Sequence, residues 1–186
     1  MYKRQNYAYQ LNQTAANVNG TLNGNQVTYA SIYPFVDARF TQFADGRHLD
    51  YILQSKKAIG NAPQGVSDVA FSEVVTLPKG WTWQLSASSQ DISIFDGAGI
   101  VRMIYTTPYI YEQNFAGADV EAGATASSGS ISGKYEVEQN GNEITIYTLV
   151  DYAWLTDASR NYPVVAVSYT HLVLMVEFHL QCILHE

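Results

Sequence analysis

Paired carboxylates could hydrolyse a glycosidic bond, which needs two acids about 5–9.5 Å apart across a cleft. Asp37 with Asp50, and Asp91 with Asp96, are the nearest candidates by strand position. Asp96 precedes Gly97 and reads better as the closing residue of a turn, while Glu136 and Glu138 alternate outward as a solvated face. Ser–His–Asp chemistry would rest on His48, which follows the Asp45-Gly46 turn, and no Gly-x-Ser-x-Gly elbow is present. His179, Cys182 and His185, with His171 nearby, have the residue types of a metal site. On a helix, positions i, i+3 and i+6 fan through about 120° and rise about 9 Å, so three such side chains converge poorly on one ion. These residues predict no catalytic centre, no cofactor and no metal.

The chain has 14 tyrosines and 3 tryptophans, and ring faces stack on sugars. Trp81, Trp83 and Leu85 alternate with Thr82 and Gln84, so the rings share one face and are expected on the inner side of a central strand. Tyr105, Tyr109, Tyr111 and Tyr147 are less constrained and are the candidate glycan contacts. Ten basic against 17 acidic residues give a net charge of −7, which argues against a nucleic-acid partner. No apolar run reaches the roughly 18 to 20 residues of a membrane-spanning helix. A single cysteine excludes an internal disulfide framework. With 47% hydrophobic residues, the bulk of the chain should fold.

The elements that would position these residues are strands. β-branched and aromatic residues recur at period two between Gly, Asn, Asp and Pro. Segments 26–33, 36–43, 48–54, 69–77, 81–85, 92–95 and 100–106 read as strands, and 6–25 as a polar linker or edge. Tyr135 to Tyr147 reads as a hairpin, with Asn140-Gly141 as a type I′ turn. Asn114 to Gly129 reads as a long loop, Asp151 to Ala158 as one helical turn, and Tyr162 to Val165 as a last strand. About nine or ten short strands without a sustained helix predict an all-β fold, an antiparallel β-sandwich or open barrel.

Three stretches resemble a domain of secreted bacterial wall-associated proteins with RHS/YD repeats and of surface proteins carrying DNRLRE modules. The first is Tyr33-Pro34-Phe35-Val36-Asp37 followed by Asp45-Gly46, with Phe35 where the pattern carries glycine. The second runs from Asp96-Gly97 to Pro108-Tyr109-Ile110-Tyr111. The third and most specific is Ala153-Trp154-Leu155-Thr156-Asp157, continuing through Arg160-Asn161-Tyr162-Pro163-Val164, with Ala158 in place of the usual proline. The resemblance implies a non-catalytic spacer module outside the cell, its partners being neighbouring β domains or repeats of the same polypeptide. A lectin-like sandwich binding a wall or surface glycan is the alternative, and a glycoside hydrolase fragment the second.

Both ends resemble translated transposon adapter sequence. Tyr2-Lys3-Arg4-Gln5 matches one adapter strand, and Val167 to Leu172 matches its reverse complement. The expected division is therefore 1–5 adapter-like peptide, 6–25 linker, 26–166 domain, and 167–186 adapter-like peptide with a readthrough tail. A signal peptide would have been lost upstream of such a fragment. The alternative is a natural C-terminal amphipathic helix. An extraneous tail is expected to pack poorly, or to form an isolated helix or an added edge strand.

Overall fold

A computed structural model describes residues 8–10, 16–60, 65–113 and 129–172. In chain order the strands are β1 (Ala8–Gln10), β2 (Thr21–Asn23), β3 (Gln26–Tyr33), β4 (Val36–Gln42), β5 (Gly46–Leu53), β6 (Asp68–Thr76) and β7 (Thr82–Leu85). They continue as β8 (Ile92–Phe95), β9 (Val101–Glu112), β10 (Ser130–Ser132), β11 (Lys134–Asn140), β12 (Glu143–Asp151) and β13 (Val164–Leu172). One helical turn, α1 (Tyr152–Thr156), precedes β13, where Asp151 caps it by accepting the Trp154 N–H at 2.6 Å.

Two sheets face each other. One is four-stranded in the order β1-β6-β12-β11; the other is nine-stranded along β2-β3-β4-β5-β13-β9-β8-β7, with β10 beside β9. Neither closes into a barrel, which settles the architecture as a sandwich. β1 and β6 run parallel, and the remaining pairs run antiparallel. The strands exceed the expected number because β1 and β2 lie inside the stretch read as linker and β10 directly follows the stretch read as a long loop.

Two apolar cores fill the space between the sheets. The first gathers Val36, Leu53, Phe71, Ile110, Val150, Leu155 and Val164; the second gathers Ile92, Ile94, Tyr105, Tyr135, Ile144 and Ile146. Trp81, Trp83 and Leu85 pack on the second core, as their alternation requires. The strand that carries Trp83 and Leu85, β7, is however the last of the nine-stranded path and not a central one, and Trp81, just before it, and Trp83 are only half-buried. The hairpin of β11 and β12 also differs in detail. Asn140 pairs with Glu143, so the loop residues are Gly141 and Asn142, and only Gly141 has positive φ, at 63°. Glycine at the first central position makes a type II′ turn, not type I′. The Asp45-Gly46 bend likewise needs its glycine for another reason. A Cβ on Gly46 would lie 2.2 Å from the Thr170 carbonyl oxygen, so β5 and β13 touch there backbone to backbone.

The largest departure from expectation is β13. Val164 through Ser168 are buried in succession, and the strand pairs with β5 on one side and β9 on the other. Residues 167–172 thus belong to a central strand, not to a poorly packed, isolated or edge element. The physical reason is pattern: Ser168 and Thr170 turn small hydroxyl side chains inward, where Ser168 Oγ meets the Tyr135 hydroxyl at 3.1 Å. Val167 and Tyr169 join Ile52, Val165 and Tyr111 in an apolar cluster on the opposite face. A run buried on both faces is nearly continuous in apolar character, as Val164-Val165-Ala166-Val167 is. Residues 1–5 and 173–186 lie outside the described residues.

Candidate functional site

The nine-stranded sheet carries most of the residues with chemical potential, and pairing fixes where each one points. Asp37 on β4 and Asp50 on β5 are brought to diagonal positions on one face, since Asp37 pairs with Ile52 and Arg39 with Asp50. Both carboxylates are already engaged. Asp37 accepts the Ser31 N–H at 2.7 Å and the Gln54 side-chain amide at 2.8 Å. Asp50 accepts from Arg39 at 2.6 Å; burial raises its pKa and the Arg39 charge opposes that rise. Asp91 and Asp96 sit at opposite ends of β8, some five residues apart, or about 16 Å along a strand. That exceeds the reach of either glycosidase geometry. Asp96 closes its turn, accepting from the Ala98 and Ile100 amides and from Arg102. These bonds, the Ile100 amide first, hold its carboxyl below the usual range.

His48 lies between two rings, with its centroid 4.4 Å from that of Phe43 and 4.1 Å from that of Tyr169. Burial, then the neighbouring His171 and Arg39, lower its pKa, while Asp45 pulls the other way. His179, Cys182 and His185 lie outside the described residues. Among the described residues, no three His, Cys, Asp or Glu side chains converge as a metal site would require.

The candidate glycan tyrosines do not form a platform. Tyr105 is fully buried and Tyr109 is 4% exposed, so neither can offer a ring face to a sugar. Tyr105 packs edge-on to Tyr135 in the second core, with centroids 6.2 Å apart. Tyr109 stacks on half-buried Tyr111 at 5.7 Å, and among the described residues its buried hydroxyl has no hydrogen-bond partner. Tyr147 belongs to the other sheet, where it donates to Glu138 at 3.1 Å. Strict period two would put Tyr105, Tyr109 and Tyr111 on one face. β9 gains a residue against β13 between Thr106 and Tyr109, and this bulge turns Tyr109 and Tyr111 away from the side that Tyr105 faces. Pro108, inside that bulge, is the signal in the sequence that the alternation breaks.

Sequence reasoning missed an inward-facing ion pair. Arg47 on β5 reaches Glu73 on β6 at 2.8 Å and the Tyr105 hydroxyl at 3.4 Å, bridging the two sheets. Arg47 and Tyr105 border a cleft of about 420 Å³, lined also by Gln42, Val75, Met103 and Leu172. A charged residue in register with inward Leu49, Tyr51 and Leu53 was the available signal.

The third stretch of the resemblance is a clamp. Glu112, at the end of β9, accepts from Arg160 at 3.0 Å, from the Asn161 N–H at 3.1 Å and from the Asn161 side chain at 3.0 Å. The Arg160 guanidinium lies 4.6 Å from the Trp154 ring, and the Tyr162 hydroxyl donates to the Leu155 carbonyl at 2.8 Å. The motif therefore ties α1 and the approach to β13 onto the end of β9. Comparison with protein-family models, with curated proteins and with solved structures finds no match for this chain.

Proposed function

We propose that this chain is a non-catalytic structural module of a large secreted or cell-surface protein, spacing or packing against neighbouring β domains of the same polypeptide. The observation that carries this reading is the Glu112–Arg160–Asn161 clamp. The residues most specific to the resemblance spend their polar groups on holding the fold together, and Asp37, Asp50 and Asp96 do the same. A glycan-binding reading keeps only Tyr111 and Tyr147, half-buried on different sheets. The test is a glycan array and a broad hydrolase screen on the full chain. The structural reading expects neither saturable binding nor turnover. Binding abolished by Tyr111→Ala would replace it with the lectin reading, and turnover lost in Asp37→Asn or Asp50→Asn would replace it with an enzyme.

A further inference from the structure

One tripeptide, Asn-Gly-Asn, occurs twice in the chain and both times makes the tip of a hairpin. Asn23-Gly24-Asn25 joins β2 to β3, with Asn23 paired to Gln26 and Gly24 at φ 59°. Asn140-Gly141-Asn142 joins β11 to β12, with Asn140 paired to Glu143 and Gly141 at φ 63°. Both asparagines that precede glycine are exposed. Each turn is anchored on its second asparagine: the Gln42 N–H bonds the Asn25 carbonyl at 2.9 Å, and the Leu77 N–H bonds the Asn142 carbonyl at 2.7 Å. The strands that enter the two turns differ. β2 makes three pairs and is exposed at each residue, with Leu22 at its centre 72% exposed. β11 makes seven pairs with β12 and buries Tyr135 and Val137. It ends in a clasp, where the Gln139 side-chain amide donates to the Gly141 carbonyl at 3.0 Å and accepts the Trp83 indole N–H at 2.9 Å.

We propose that Asn23 is a site of spontaneous deamidation and that the fold protects Asn140 from the same reaction. Asparagine is a thermolabile residue, and a glycine after it leaves the attacking nitrogen without a Cβ to shield it. Base takes the proton of the Gly24 amide, and its nitrogen adds to Asn23 Cγ. The Cγ–Nδ2 bond breaks, and ammonia leaves with a proton from water. The five-membered imide so formed takes up one water at either carbonyl carbon and opens to aspartate or isoaspartate. Nothing is oxidised or reduced; one side-chain amide and one water become one carboxylate and one ammonium ion. Ring closure requires the asparagine Cα–C bond to turn until the glycine nitrogen faces Cγ, and an extended residue held in a ladder resists that rotation. At Asn23 the resistance is a three-pair ladder at the end of the sheet, the kind of element that opens most readily. At Asn140 it is a seven-pair ladder and the Gln139 clasp. The product places a new negative charge at the β2–β3 tip. Isoaspartate also adds a backbone methylene there, which no longer fits the pairing of residue 23 with Gln26.

The test incubates the full chain at mildly alkaline pH, folded and in urea, and follows each asparagine by peptide mass spectrometry. The unfolded chain supplies the intrinsic rate of each site, and the folded rate divided by it measures what the fold does. Asn19-Gly20, the third such dipeptide, is read from its own fragment ions. The ratio at Asn23 is expected to exceed that at Asn140 by at least about tenfold, since opening the second turn also breaks the two bonds of the clasp. Equal ratios at the two sites overturn the proposal, as does a larger ratio at Asn140. So does a folded chain whose Asn23 stays intact over a period in which the chain in urea converts it.

Discussion

Replacing Phe35 by glycine and, separately, by alanine isolates one backbone angle. Tyr33 pairs with Val36, which leaves Pro34-Phe35 as a two-residue loop. Proline fixes φ near −65° at the first loop position, and Phe35 follows at φ 64°. That is the second central position of a type II turn, where glycine is the usual occupant. Both variants lose the same half-exposed ring and its contact with Lys57, 5.9 Å from the centroid, so those losses cancel in the comparison. What remains is a Cβ in the left-handed region, costing roughly 1–2 kcal/mol, against the extra freedom of glycine in the unfolded chain, about 0.5–1 kcal/mol. Phe35→Gly should therefore be more stable than Phe35→Ala by about 0.5–1 kcal/mol. At an ordinary strand position the order is reversed. Urea unfolding monitored by circular dichroism reads the difference from the two midpoints at equal slope. Phe35→Ala equal to or more stable than Phe35→Gly would refute the left-handed turn.

Trp83→Ala should cost about 2 kcal/mol, below the roughly 3–5 kcal/mol of a fully buried tryptophan, because β7 is an edge and the indole N–H bonds Gln139 at 2.9 Å on the surface. Thr82→Ala, on the exposed face, should change stability by less than about 0.5 kcal/mol in the same unfolding assay. Ending the chain after Ala166 removes most of β13 and its pairing with both β5 and β9; the truncated chain should lose its cooperative thermal transition, and an unchanged transition would show that residues 167–172 are dispensable. Acidification should destabilise the fold through His48, whose lowered pKa lets the unfolded state take the proton first as pH falls through about 6.5. His48→Phe keeps the ring stack and should flatten that part of the stability–pH curve. Further loss should follow in the carboxylate range, where Asp96 and Asp157 titrate with lowered pKa values, while Asp50, raised by burial, acts in the opposite sense.

Period two and turn chemistry made the sandwich legible. Glu136 and Glu138 turn outward while Tyr135 and Val137 turn inward, as alternation requires. Asp96 holds its turn, and Asp151 starts the single helical turn. The failures have local causes. A count by twos leaves Tyr105 and Tyr109 available because it does not register the bulge at Pro108. Amphipathic alternation fixes the face of Trp83 and not its strand's rank in the sheet. The last strand runs past Val165 because the apolar run continues through Val167, which marks a strand buried on both sides. Arg47 and Glu73 are 26 residues apart in sequence, and only the stacking of β6 on β5 brings them together.

The central claim is that the most distinctive polar residues serve the fold. Unfolding of Glu112→Ala tests it most directly, because it removes the acceptor of three bonds and leaves the Arg160 side chain, 8% exposed, without its carboxylate. Breaking a buried ion pair costs roughly 3–5 kcal/mol; Arg160 keeps Ser159 Oγ and the Trp154 ring as partners, so a loss of about 2–3 kcal/mol is predicted. Residues kept for binding or catalysis commonly leave stability unchanged or improved when replaced. Unchanged or increased stability of Glu112→Ala would contradict the structural account.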